Sequence, residues 1–162
     1  MNSRKVKETE HQKEEEIRAT EAQLFSEDNI KKLVQDLEDA WNAHDVNSIL
    51  QHLARDVEVV YKGKSFRGID YVRTDYLRNE EFNLTKIKYQ ILGHCIGKSR
   101  TRGVYENILK IALKWTLVYD RDTSGRVAIE RVAGEEVSGF VELLCQRKKT
   151  TNTLEITFIA SI

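Results

Sequence analysis

Two titratable residues in apolar surroundings, Glu142 and His94, are the first candidates for chemistry in this sequence. Glu142 lies in the apolar segment 140–144, and His94 follows Ile91 and Leu92 in a segment with strand character. A buried carboxylate or imidazole with a tuned pKa can act as a general acid or base. The alternative for Glu142 is an ion pair with a lysine, Lys110 or Lys114, on a neighbouring strand, and for His94 it is a structural role. The residue types leave both alternatives open.

Aromatic side chains on apolar faces are the candidates for binding. Apolar and aromatic walls with a few polar atoms suit small organic molecules. The alternative for each residue is a core position in which the ring N–H or O–H group finds a hydrogen-bond partner. The predicted ligand-binding residues are Trp41, Tyr61, Tyr76, Tyr89 and Trp115.

Motifs for other chemistries are missing from the sequence. His44 and His52 are eight residues apart, and neither an HExxH nor a paired CxxC motif occurs, so no metal site is predicted. The glycines of segment 93–97 lack the third glycine of a dinucleotide-binding loop, and we expect no cofactor. Cys95 and Cys145 lie in apolar segments and are predicted to be buried reduced thiols.

Charge and hydropathy restrict the class of protein. Across the 162 residues, 26 Lys and Arg balance 26 Asp and Glu, which argues against a nucleic-acid partner. Neither a signal peptide nor an apolar run of about 20 residues is visible, so no membrane partner is expected. These observations predict a cytoplasmic protein with one domain.

The helices that would position these side chains lie in the first half of the chain. Residues 1–24 form a charged extension, helical or disordered, and the domain is expected to cover residues 25–162. Ser26 can cap a helix in which apolar residues recur from Ile30 to Trp41 with helical spacing. Asp45 can cap a shorter helix, and a third is expected after Gly68.

Strands dominate the second half. Residues 57–61 alternate in hydropathy, and from Phe82 onward we expect mostly strands. The order of helices followed by strands indicates an α+β fold. The predicted strands after Phe82 cover residues 85–91, 104–119, 127–132, 138–147 and 154–159.

Segments 37–45 and 49–58 resemble the nuclear transport factor 2-like (cystatin-like) superfamily, and within it the SnoaL-like branch. The first segment reads LEDAWNAHD and the second ILQHLARDVE, and Gly68 precedes the third helix as in that superfamily. The resemblance covers roughly residues 26–162. It implies three N-terminal helices packed on a curved antiparallel sheet that forms a cone with an internal cavity.

The resemblance also implies a function class. It suggests a protein that binds an apolar, polyketide- or terpenoid-like molecule, with cofactor-free cyclisation, dehydration or isomerisation as the candidate reaction and Glu142 or His94 as the acid or base. The aspartate common near the end of the last strand in such enzymes is missing from residues 158–162. The alternative is a non-catalytic association module, and a homodimer through the outer sheet face is expected in either case.

Overall fold

The helical half of the molecule begins with one long polar helix. The computed structural model describes residues 2–61, 63–101, 104–123 and 130–162. Helix α1 (Asn2–Leu24) covers the charged extension, and its residues 9–19 are exposed. In its last turn, Glu21 contacts the sheet.

Local sequence signals set the next two helices. Helix α2 (Glu27–Asn42) begins where Ser26 accepts a hydrogen bond from the Asn29 amide at 3.3 Å, and its buried residues follow the predicted helical spacing. Helix α3 (Val46–Leu50) is capped by Asp45, whose carboxylate accepts from the Ser48 amide at 3.2 Å. Two further helices, α4 (Ile69–Arg78) and α5 (Glu80–Leu84), follow a short hairpin.

Six strands form one sheet. The strands are β1 (Leu53–Tyr61), β2 (Lys64–Arg67), β3 (Thr85–Thr101), β4 (Val104–Tyr119), β5 (Glu136–Lys148) and β6 (Thr153–Ser161). Their order across the sheet is β2-β1-β6-β5-β4-β3, and the register shifts at Leu53/Glu58, Ile91/Gly93 and Leu144/Cys145.

The α+β class is confirmed, with three differences from the sequence prediction. The sheet is mixed rather than antiparallel, because the last strand β6 inserts between β5 and β1 and runs parallel to β1. Residues 80–84 form α5, although mostly strands were expected from Phe82 onward, since Asn79 caps the turn by accepting from the Glu81 amide at 2.9 Å. A strand was predicted over residues 127–132. Residues 130–132 do not form a strand, and residues 127–129 lie outside the described residues.

The core lies between α2 to α5 and one face of the sheet, here called the inner face. Ile30 and Leu33 of α2 belong to one buried hydrophobic cluster with Leu109 and Ile111 of β4. Burial of such side chains supplies the main driving force for folding. In the part of the chain that the structure describes, no helix combines the length and the hydropathy that crossing a membrane requires.

Candidate functional site

A pocket of about 390 Å³ opens between the helices and the inner face of the sheet. Its walls come from α2, α3, α4 and α5, from the hairpin β1–β2 and from β3, β4, β5 and β6. Leu113 and Val141 contribute to its sheet side, and Leu37 and Ile49 to its helical side. The core side chains therefore pack around this space without filling it.

The five predicted aromatic residues all line this pocket. Alternation along the strands explains the placement, because Tyr89 is the register partner of Trp115 and paired residues share a face. Trp115 is in turn opposite Gly139, and a Cβ atom built there would lie 2.4 Å from Cζ2 of the indole ring. Gly139 thus leaves room for the Trp115 ring to lie across β5.

Trp41 is held at the helical side of the pocket by two kinds of contact. Its indole Nε1 donates to Oγ1 of the buried Thr85 at 3.2 Å. The Phe82 ring packs edge-on against both Trp41 and Tyr76, with ring centroids 5.0 and 5.2 Å apart. Phe82 is 1% exposed, so it supports the wall residues Trp41 and Tyr76 from behind.

The two inner tyrosines are neutral hydrogen-bonding groups at physiological pH. Burial raises the pKa of Tyr76 to about 12, and it raises the pKa of Tyr89 as well. The backbone of Tyr89 is fixed by its amide, which donates to Glu38 Oε1 at 2.8 Å. Both residues line the pocket, and their phenols are therefore neutral O–H groups rather than charges.

The polar residues of the wall were not identified from the sequence. They are Asp75, Asn79, Glu81 and Ser161, and both carboxylates are exposed, which places them at the mouth of the pocket. Glu81 Oε1 accepts a hydrogen bond from the Tyr119 hydroxyl at 3.2 Å. Helical spacing carries a usable signal, because Asp75 follows the wall residues Tyr71 and Val72 by four and three positions.

The two predicted catalytic residues do not lie on the pocket wall. Val141 and Leu143 face the pocket, so Glu142 between them points to the opposite, outer face of the sheet. There its carboxylate lies 2.7 Å from Lys110 Nζ, which is the ion pair foreseen as the alternative. His94 is exposed on β3 beyond the irregularity at Ile91/Gly93. Their catalytic role stays a prediction without support from the pocket geometry.

The other residues considered from the sequence, His44 and the two cysteines, do not line the pocket. His44 occupies the turn between α2 and α3 with φ of 54°, and its Nδ1 lies 2.9 Å from the Phe82 carbonyl oxygen. Cys145 is buried as predicted, whereas Cys95 is exposed, because it pairs with Lys110 on the outer face. Among the described residues, no group of three or more His, Cys, Asp or Glu side chains could hold a metal ion.

Comparison with solved structures decides the fold. An NTF-2 like protein of unknown function from Shewanella oneidensis superposes with a TM-score of 0.59 at 19% identity, over 83% of this chain and 96% of that one. A ketosteroid isomerase-like protein from Erwinia carotovora gives 0.57 at 12% identity, over 82% and 91%. The fold is that of the nuclear transport factor 2-like proteins.

Another solved structure that superposes on this chain is named as an association domain. A candidate calcium/calmodulin-dependent protein kinase type II association domain from Thiobacillus denitrificans superposes with a TM-score of 0.51 at 11% identity, over 81% of this chain and 91% of that one. No family model matches the sequence, and no curated protein matches it. At these identities the likeness establishes the fold, and an activity must be argued from the site.

Proposed function

We propose that the protein binds a compact, mainly apolar organic molecule in the pocket between α2 and the inner face of the sheet. The observation that carries the proposal is an aromatic and aliphatic wall around about 390 Å³ of unfilled space. Pockets for small organic ligands measure roughly 300–1,000 Å³ and have mostly apolar walls with a few polar groups. The phenols of Tyr76 and Tyr89 would supply hydrogen bonds that orient the ligand.

The ligand class follows from the shape of the wall. Broad aromatic surfaces from Trp41, Trp115 and Tyr89 favour a rigid carbon skeleton, as in polyketide- or terpenoid-like molecules. The ketosteroid isomerase-like neighbour is consistent with such a ligand. We propose binding rather than catalysis, because Glu142 and His94 lie off the wall and the carboxylates Asp75 and Glu81 lie at its mouth.

Filling the pocket tests this proposal. Val141 is 9% exposed and lines the pocket, so Val141→Phe should occupy part of the space and weaken binding of a neutral cage alcohol, 1-adamantanol, about tenfold or more. Binding can be followed by tryptophan fluorescence, since the two tryptophans of the chain both line the pocket.

The matched control is Val118→Phe on β4. Val118 is absent from the wall and half-buried, and it is the register partner of the exposed Glu136. The control should bind 1-adamantanol as the unaltered protein does. Equal binding by Val141→Phe and the unaltered protein would contradict a ligand site in this pocket.

A second candidate function, association without catalysis, is favoured by the outer face of the sheet. Phe140 is 47% exposed there, on the side of β5 opposite the pocket. An exposed aromatic on a broad sheet face is a common feature of protein interfaces. We propose that two copies of the chain pair through this face. Such a homodimer leaves the pocket open and is compatible with ligand binding.

A further inference from the structure

We propose that the pocket selects cationic ligands, namely a compact apolar skeleton that carries one protonated amine. The inference rests on the proposed binding function and adds the charge of the ligand. It comes from the distribution of charge around the pocket, where an apolar interior opens at a mouth that carries two carboxylates, Asp75 and Glu81.

The charged side chains among the described wall residues are negative. Among the described residues that line the pocket, Asp75 and Glu81 are charged, and none is a lysine, an arginine or a histidine. Both carboxylates are exposed, so they keep their hydration while a ligand approaches. An amine at the mouth would gain their attraction without being buried alone, whereas a carboxylate there would meet repulsion.

Aromatic rings at the mouth add to this preference. Tyr71 is 46% exposed and lines the pocket, and its ring stacks on Phe66 with centroids 4.6 Å apart and planes 7° apart. The faces of such rings attract cations. Tyr61, 47% exposed, lies on the same wall. The mouth thus combines carboxylates with the half-exposed ring of Tyr71, as ammonium-binding sites do.

The groups near Glu81 that could attract an anion are already engaged within the chain. Arg131, which also attracts the Glu81 carboxylate, has its Nη1 3.0 Å from Glu135 Oε2. The side-chain oxygen of Asn79 accepts from the Glu81 amide at 2.9 Å, so this amide of α5 is satisfied within the chain. The Tyr119 hydroxyl donates to Glu81 at 3.2 Å and holds the carboxylate in position. The mouth therefore offers an incoming ligand acceptors and negative charge.

Three ligands with one carbon cage test the proposal. They are 1-adamantylamine, protonated at neutral pH, neutral 1-adamantanol and 1-adamantanecarboxylate, and none of them absorbs where tryptophan is excited. Titration at low ionic strength should give a dissociation constant for the amine about tenfold below that of the carboxylate, from one exposed ion pair and a cation–π contact. Added salt should reduce this ratio.

Neutral variants of the mouth assign the preference to its carboxylates. The double variant Asp75→Asn with Glu81→Gln should weaken amine binding about three- to tenfold and leave the alcohol within about twofold. The control pair, Asp56→Asn with Asp70→Asn, changes the net charge equally at exposed positions outside the wall. It should retain the preference for the amine.

The outcomes separate this inference from the proposed function. Failure of all three ligands to bind would contradict the binding function itself. Binding of the alcohol, with the carboxylate as tight as the amine, would overturn the charge preference alone. A mouth variant that weakens the alcohol and the amine equally would overturn it too, because the carboxylates would then support the pocket rather than recognise charge.

Discussion

Gly139 determines where the large indole ring of Trp115 can lie. The two residues are register partners on β5 and β4, and the space that a side chain of residue 139 would occupy is filled by the ring. A Cβ atom there would lie 2.4 Å from Cζ2 and 2.8 Å from Cε2, distances that require the ring to move. The shape of the pocket thus depends on a residue that contributes no side chain to it.

We expect Gly139→Ala to displace Trp115 and to destabilise the protein by about 1–3 kcal/mol, the typical cost of overpacking. Urea denaturation gives the free energy of unfolding, and the tryptophan emission spectrum reports the ring environment. The control is Gly97→Ala on β3, where an added Cβ meets nothing within 4 Å. Equal losses from the two variants would show that the cost does not come from Trp115.

At the scale of elements, α1 is joined to the sheet by its last turn. Glu21 Oε2 accepts from Asn107 Nδ2 at 2.8 Å, and its Oε1 lies 3.9 Å from Arg147 Nε. The side chains of Glu21 and Arg147 are only 19% and 14% exposed. Arg147 Nη1 donates to Asn152 Oδ1 at 2.9 Å, whereas its Nε is buried, makes no hydrogen bond within the described part of the chain and faces the Glu21 carboxylate.

Glu21→Ala should therefore lower the free energy of unfolding by about 1–3 kcal/mol, because it leaves the Arg147 guanidinium, whose Nε is buried, without the adjacent carboxylate. Glu10→Ala, at an exposed position of the same helix, should change stability by less than about 0.5 kcal/mol. Chemical denaturation of both variants provides the measurement. If Glu21→Ala behaves as the control does, α1 is not anchored through this pair.

The elements differ in how far the sequence predicts them. Ser26, Asp45 and the helical spacing of apolar residues specify α2 and α3, because caps and amphipathic faces are local signals. Helix α5 has five residues, too few for a periodic pattern, and Phe82 in a strand-like context obscured it. The parallel pairing of β1 with β6 joins strands about 90 residues apart, and no local signal records it.

The residues of the candidate site also differ in how far the sequence predicts their positions. The aromatic wall was found because strand alternation assigns Tyr89 and Trp115 to one face. Glu142 shares its strand with wall residues but has the opposite parity, so its position could have been excluded by the same alternation. Asp75 and Glu81 were missed because their meeting at the mouth depends on how α4 and α5 pack over the sheet.

At the scale of the whole molecule, the outer face of the sheet is proposed to join two chains. Phe140→Asp places a charge on that face and should convert a dimer to a monomer in sedimentation equilibrium. Val132→Asp is the control, since Val132 is 60% exposed and lies outside the strands. A monomeric unaltered protein, or an unchanged dimer in Phe140→Asp, would contradict pairing through this face.

The pocket and the outer face lie on opposite sides of one sheet, so the two proposed roles do not compete for surface. Tyr76 and Tyr89 face the pocket, whereas Phe140 and the Glu142–Lys110 pair lie on the other side. A homodimer would leave both pocket mouths accessible to solvent. Binding measurements and assembly measurements can therefore be made independently on the same variants.

The most direct test of the binding proposal is a nuclear magnetic resonance titration with 1-adamantanol. The chain has two tryptophans, Trp41 and Trp115, and both line the pocket, so two indole N–H signals report on it. We predict that both signals shift saturably with the alcohol and that Val141→Phe needs about tenfold or more alcohol for the same shifts. Indole signals that stay unmoved in the folded protein at saturating alcohol would contradict a ligand-binding pocket at this position.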